Sequence, residues 1–139
     1  MTRIIRTDSP ARYRQRLLKA LASAFHCFRE ETTTEAQKKD IYAFTLLTLE
    51  AISESVDQTI LAWEKRDYWI KADRLRDTWR WASEAHKNLL NALQSNEIEG
   101  AYQQLESLYE QTESVKLPRN QPGQDLWQGA WRKLQKRQK

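Results

Sequence analysis

Apolar residues recur at intervals of three and four along most of the chain, the spacing of one face of an α-helix. Tyr13, Leu17, Leu21, Ala24 and Phe28 follow it, with Leu18 and Phe25 at the flanks. They predict a first helix entered through Asp8 or Ser9 as N-cap, with Pro10 at its first position. Arg12, Arg16, Lys19, Ser23, His26 and Glu30 take its far side. The run Glu31-Thr32-Thr33-Thr34 interrupts the pattern with competing side-chain hydrogen bonds, and Thr34 with Gln37 makes a capping box for a second helix, expected from about 35 to 64. Tyr42, Leu46, Leu49, Val56, Ile60 and Trp63 share one seam of it, with Ser53 as the polar member. Ile41, Phe44, Leu47 and Ile52 widen that surface until more than one neighbour must cover it.

Tyr68, Ala72, Leu75, Trp79, Ala82, His86, Leu89 and Leu93 form the clearest periodic line and predict a third helix with Asp67 as its cap. One rod from 35 to 94, roughly 60 residues, would lack stabilisation from packing, so a hairpin is expected near 64 to 67. Asn96 with Glu99 offers another capping box before a shorter fourth helix, its stripe Ile98, Tyr102, Leu105, Tyr109 and Thr112, with Ala101 and Leu108 alongside and Gly100 weakening the first turn. Beyond Val115, Leu-Pro-Arg-Asn-Gln-Pro-Gly reads as a linker, and Trp127, Trp131 and Leu134 line one side of a short basic helix.

The pieces predict an all-α fold: an antiparallel up-and-down four-helix bundle with a long central helical hairpin and a short C-terminal fifth helix. Residues 1–115 make the bundle domain, and 116–139 a basic Pro/Gly-containing tail with a short Trp-bearing helix. At about 1.5 Å per residue the second and third helices reach roughly 40 to 45 Å and the fourth about 26 Å, so the short helices leave the turn at 64–67 uncovered. That tip holds Ile60, Trp63, Tyr68, Trp69 and Ile70 among Lys65, Arg66, Lys71 and Arg74. Trp63, Arg66, Tyr68, Trp69 and Arg74 are the expected partner-binding residues, since Trp, Tyr and Arg anchor interfaces. The competing expectation is that the tail returns to lay Trp127 and Trp131 onto Trp63 and Trp69, and an obligate homodimer would bury the same surface.

Composition agrees with helix: nine Ile or Val stand against 14 Ala, 16 Leu and 12 Gln in 139 residues. All three Gly lie at or beyond position 100, which removes Gly-dependent phosphate loops, dinucleotide turns and nucleophile elbows from the first 99 residues. A single cysteine, Cys27, forms no intramolecular disulfide, and no stretch resembles a signal peptide or a long apolar span, so a cytoplasmic setting is expected.

Charge changes the picture more. The net +4 divides into +5 over residues 1–19, −7 over 20–115 and +6 over 116–139. Arg12, Arg16 and Lys19 share one helix face, with Arg3, Arg6 and Arg14 near enough to add to the field, and Arg132, Lys133, Lys136, Arg137 and Lys139 crowd the tail. Such cations neutralise DNA or RNA phosphates through counterion release without reading bases, which makes Arg12, Arg16, Lys19, Arg132, Lys133, Lys136 and Arg137 the expected nucleic-acid-binding residues. A solvated face with a solubilising tail accounts for the same charges. The fourth helix, with Glu97, Glu99, Glu106, Glu110 and Glu113 and no Lys or Arg, repels nucleic acid and suits a neighbouring copy's basic end.

No catalytic residue, metal ligand or cofactor is expected. A di-iron bundle needs Glu-x-x-His on two helices, yet Ser23 and Ser83 stand three residues before His26 and His86. His86 reads as a core histidine, and Cys27 and His26, adjacent on a helix, point about 100° apart and make no dyad. Glu50, Glu54 and Asp57 are expected to pair with Arg74, Arg76 or Arg80 rather than serve acid–base chemistry. A membrane-surface helix at Trp127–Lys139 has too few apolar anchors to bind well. The expectation is a non-enzymatic assembly subunit that docks through its aromatic tip and contacts nucleic-acid phosphates through its first helix and tail. The alternative is a purely protein-binding or self-associating bundle, an adaptor or regulator with no nucleic-acid role. Either way a protein partner or second copy is expected, with no membrane and no small-molecule substrate.

Overall fold

A computed structural model of the chain describes residues 9–30, 33–112, 115 and 126–137. Five helices account for most of them: α1 (Pro10–Phe28), α2 (Glu35–Lys65), α3 (Trp69–Gln94), α4 (Ile98–Thr112) and α5 (Ala130–Arg137), with no strand among the described residues. Asp8, Arg3, Arg6, Glu113, Lys139 and the linker at 117–123, all given roles above, lie outside the described residues.

Both predicted helix starts are built from their capping residues. Ser9 Oγ accepts the Arg12 N–H at 3.2 Å, with Pro10 at the first helical position. The Gln37 N–H donates to Thr34 Oγ1 at 3.2 Å while the Thr34 N–H donates to Gln37 Oε1 at 2.9 Å, a complete capping box.

The next two turns correct the expectation. Asp67 and Asn96, predicted as N-caps of the helices that follow, instead close the helices that precede them. Both have positive φ, 64° and 56°. The Tyr68 N–H reaches Trp63 O at 2.9 Å and the Asp67 N–H reaches Glu64 O at 3.0 Å. After α3 the Glu97 N–H reaches Ala92 O at 2.9 Å and the Asn96 N–H reaches Leu93 O at 3.3 Å. Each pair is a Schellman motif, which needs a left-handed residue just past the helix; without glycine, Asp and Asn fill it at the least steric penalty. α3 then starts from Tyr68 with no side-chain cap. Asp67→Gly should therefore raise the unfolding free energy by up to about 1 kcal/mol and Asp67→Val lower it by about 1 to 2 kcal/mol, read from urea midpoints.

α2 packs against α1, α3 and α5, α3 packs against α4, and α4 returns to α1. Arg14, early in α1, bonds Ser55 and Thr59, late in α2, whereas Phe28 at the end of α1 lies 5.4 Å from Tyr42 near the start of α2. Glu64 meets Arg76 and Glu50 meets His86, so the chain doubles back between Lys65 and Trp69. Leu21, Phe25, Ile41, Leu46, Leu49, Ile52 and Leu89 fill the interior. The breadth of α2's apolar surface has the consequence read from it: α1 and α3 cover two sides, and Leu126–Ala130 cover a third at Phe44, Leu47 and Ala51. Trp127 is buried there, and α5 is tied down by the Trp131 N–H on Asp40 Oδ1 at 3.0 Å.

Two buried faces are rotated from the predicted ones. In α1 the buried line is Arg14, Leu18, Leu21, Phe25 and Phe28; Tyr13 and Leu17 are half-buried, and Ser23, expected outside, is inside. In α4 Ala101, Leu105, Leu108 and Thr112 are buried, leaving Ile98 and Tyr102 outside. Gly100 faces Ala92 of α3, where an added Cβ would make ordinary contact at 3.5 Å, so α4 sets a small side against α3 and leaves its large one outside.

Tyr42 sits where α1 and α4 close over α2, packed on Phe28. Burial, then the charges of Glu35 and Tyr102, push its phenol up to about 12. A folded value above the ordinary 10.0 means this contribution to stability is intact below about pH 10 and is lost as pH rises through about 12. Tyr42→Phe should flatten the fall in unfolding free energy across that window.

Candidate interaction surfaces

The hairpin turn displays what the rest of the molecule hides. Trp69 and Ile70 are 55% and 72% exposed, and Leu61 and Tyr68 stand out beside them. The reason is positional: α4 ends at Thr112 and the described tail packs on the middle of α2, so neither reaches the turn. This corrects the expectation that Trp127 and Trp131 cap Trp63 and Trp69. Trp127 is buried at a hollow it lines together with Phe44, Leu47 and Ala51, and Trp131 lies under Lys39, its ring centroid 5.8 Å from Nζ. At the tip Lys71 Nζ sits 4.8 Å from the Trp63 centroid and 6.0 Å from that of Tyr68. Asp67, Tyr68, Trp69, Ile70, Lys71 and Arg74 line an open hollow of about 530 Å³. Of the five predicted partner-binding residues, Tyr68, Trp69 and Arg74 border it; Trp63 is half-buried beneath Lys71, and Arg66 is exposed outside it. Ile70 and Lys71, read in the sequence as part of the tip, border the hollow as well, whereas Leu61, exposed near the end of α2, was not read there.

Charge at the tip is unevenly satisfied. Arg76 binds Asp73 and Glu64, and Arg80 binds Asp77, so these guanidiniums are occupied within α2 and α3. Lys65, Arg66, Lys71 and Arg74 have no carboxylate partner among the described residues. The predicted links from Glu50, Glu54 and Asp57 to Arg74, Arg76 or Arg80 are not made. Glu50 instead holds Arg137 at 2.8 Å and lies 3.9 Å from His86 Nε2. That hydrogen bond to Glu50 raises the pKa of Arg137, exposed as it is.

The second surface is basic. Arg12, Arg16 and Lys19 face solvent on α1, and Arg132, Lys133, Lys136 and Arg137 face it on α5. α1 and α5 flank α2 and share a hollow of about 280 Å³, bordered by Leu17 on one side and Lys133 on the other. Arg12, Lys19, Arg132, Lys133 and Lys136 meet no carboxylate among the described residues, while Arg16 lies over the Tyr13 ring and Arg137 is taken by Glu50. Arg14, counted above with this field, does not belong to it. It is 4% exposed, its Nη1 donating to Ser55 Oγ at 3.1 Å and Thr59 Oγ1 at 3.0 Å, and its guanidinium lies 5.9 Å from the Trp79 centroid. Burial lowers its pKa.

Among the described residues no group of three or more His, Cys, Asp and Glu is placed to hold a metal ion, and no helix is long and apolar enough to cross a membrane. His26 is exposed, and His86 is half-buried at its carboxylate. The chain matches no family model, no curated protein and no solved structure.

Proposed function

We propose that this chain is a non-enzymatic assembly subunit: an antiparallel up-and-down four-helix bundle that docks on a protein through its hairpin tip and holds a nucleic-acid backbone along α1 and α5. The observation that carries the nucleic-acid half is the set of exposed cations on α1 and α5, of which Arg12, Lys19, Arg132, Lys133 and Lys136 meet no carboxylate among the described residues, on two helices that border one hollow. Exposed cations that neutralise phosphates displace the counterions condensed on the nucleic acid, and no base-reading element is required. The acidic α4 turns nucleic acid away from its own side, which gives the molecule one face for phosphate and another for protein.

The test is binding of a labelled duplex and a labelled single strand across a salt series. Binding at low salt that falls steadily with the logarithm of salt concentration supports the reading; absence of binding at low salt overturns its nucleic-acid half. The second reading, a protein-binding or self-associating bundle without nucleic acid, is favoured by the exposed tip alone and survives that outcome.

A further inference from the structure

The large exposed apolar side chains among the described residues are Leu61, Tyr68, Trp69, Ile70, Ile98 and Tyr102. They are not scattered. Tyr68, Trp69 and Ile70 stand at the start of α3, Leu61 near the end of α2 just before the turn, and the last two lie just past the end of α3, at the N-terminal turns of α4. α3 has 26 residues, so the two groups stand about 40 Å apart along one rod. The first group sits among Lys65, Arg66, Lys71 and Arg74, with Asp67 as the one opposing charge at the hollow. The second sits between Glu97 and Glu99; Ile98 is 44% exposed and Tyr102 46%, with Phe28 packed on one side of the Tyr102 ring at 5.7 Å. Glu97 and Glu99 have no cationic partner among the described residues, whereas Glu106 further along α4 is taken by Arg29.

We infer that the occupant of the basic aromatic tip is the acidic start of α4 on a second copy of this chain. This rests on the tip being a docking surface and names its partner. Each half is incomplete alone: the tip has cations lacking carboxylates around an apolar centre, and the α4 end has carboxylates lacking cations around a smaller one. Desolvating Trp69 and Ile70 against Ile98 and Tyr102 supplies the attraction, and the surrounding charges set which surface meets which. Because donor and acceptor surfaces differ and lie at opposite ends of α3, the contact is heterologous. Every added copy leaves one tip and one α4 end open, so association runs on into a ring or a row with a repeat of about 40 Å. The apolar centre is small, so the affinity belongs to the weak, salt-sensitive class.

Two exposed-site variants of the full chain test this by sedimentation across a concentration series, with circular dichroism to confirm folding. Trp69→Glu/Ile70→Glu blocks the tip, and Ile98→Lys/Tyr102→Lys blocks the α4 end. The expected result is that the wild type grows past the dimer, each variant alone stays monomeric, and an equimolar mixture of the two stops at a dimer, since one good tip and one good α4 end remain. A monomeric wild type, or a mixture that stays monomeric while the wild type associates, overturns the inference. An α4-blocked variant that dimerises by itself also overturns it, but leaves the tip standing as a docking surface. Association that persists in the tip-blocked variant overturns both.

Discussion

Replacing Arg12, Arg16 and Lys19 together with Ala should weaken duplex binding by roughly 10² to 10³-fold at 0.1 M salt and flatten the salt dependence by about 2.7 logarithmic units per decade. Each phosphate contact contributes about 0.9 to that slope on a duplex and about 0.7 on a single strand, so the single-strand loss is nearer 10²-fold. All three side chains are exposed on α1, away from the buried line of Leu18, Leu21 and Phe25, so the fold should lose little beyond the Arg16 contact with the Tyr13 ring. Lys133→Ala and Lys136→Ala should each subtract one further increment. Arg137→Ala should subtract less, because its guanidinium is shared with Glu50. Glu97→Gln and Glu99→Gln should leave the slope alone, since α4 faces away from phosphate. A triple variant that binds with the wild-type salt slope removes α1 from the nucleic-acid surface altogether.

The helices and the hairpin were readable because their signals are local. Ser9-Pro10 and Thr34 with Gln37 carry their caps within four residues, and a 3.6-residue apolar rhythm needs no partner to be seen. The length mismatch at the tip was readable too, since α2 at 31 residues and α3 at 26 outrun α4 at 15, but length alone left open whether the tail covers the tip. What could not be read is whatever depends on which neighbour arrives. Asp67 and Asn96 can cap a helix at either side, and only the path of the backbone shows that both take positive φ. The α4 stripe of Ile98 and Tyr102 is a valid periodic line, yet the helix buries its parallel line of Ala101, Leu105 and Leu108, with Gly100 set against Ala92 of α3. The destination of Trp127 was equally open, since both the tip and the Phe44–Leu47 face of α2 are apolar and only chain geometry distinguishes them. The site suffered one error of kind. A basic residue on a helix of basic residues looks solvent-facing, and nothing at Arg14 itself announces that Ser55 and Thr59, more than 40 positions later, will receive it.

That arginine has an expected ordering of its own. Arg14→Ala should lower the unfolding free energy by about 2 to 4 kcal/mol, while Arg14→Met should stay within about 1 kcal/mol of the wild type. The aliphatic stem fills space between α1 and α2 beside Trp79, and truncation leaves a cavity that rigid neighbours do not collapse into. The guanidinium gives less than it looks. It is removed from water with no carboxylate among the described residues to offset that loss; two hydroxyls, a carbonyl of Ser55 at 3.4 Å and the Trp79 face are its compensation. Met keeps most of the stem and deletes the charge, and Thr59 retains its own bond to Ser55 O at 3.1 Å when the guanidinium is gone. Adding Thr59→Val to Arg14→Met should then change stability little, whereas Thr59→Val alone leaves Arg14 short of a partner and should be the worse of the two. Urea unfolding of the four proteins measures the cycle. If Arg14→Met loses as much as Arg14→Ala, the charge itself and not the stem joins the start of α1 to the end of α2.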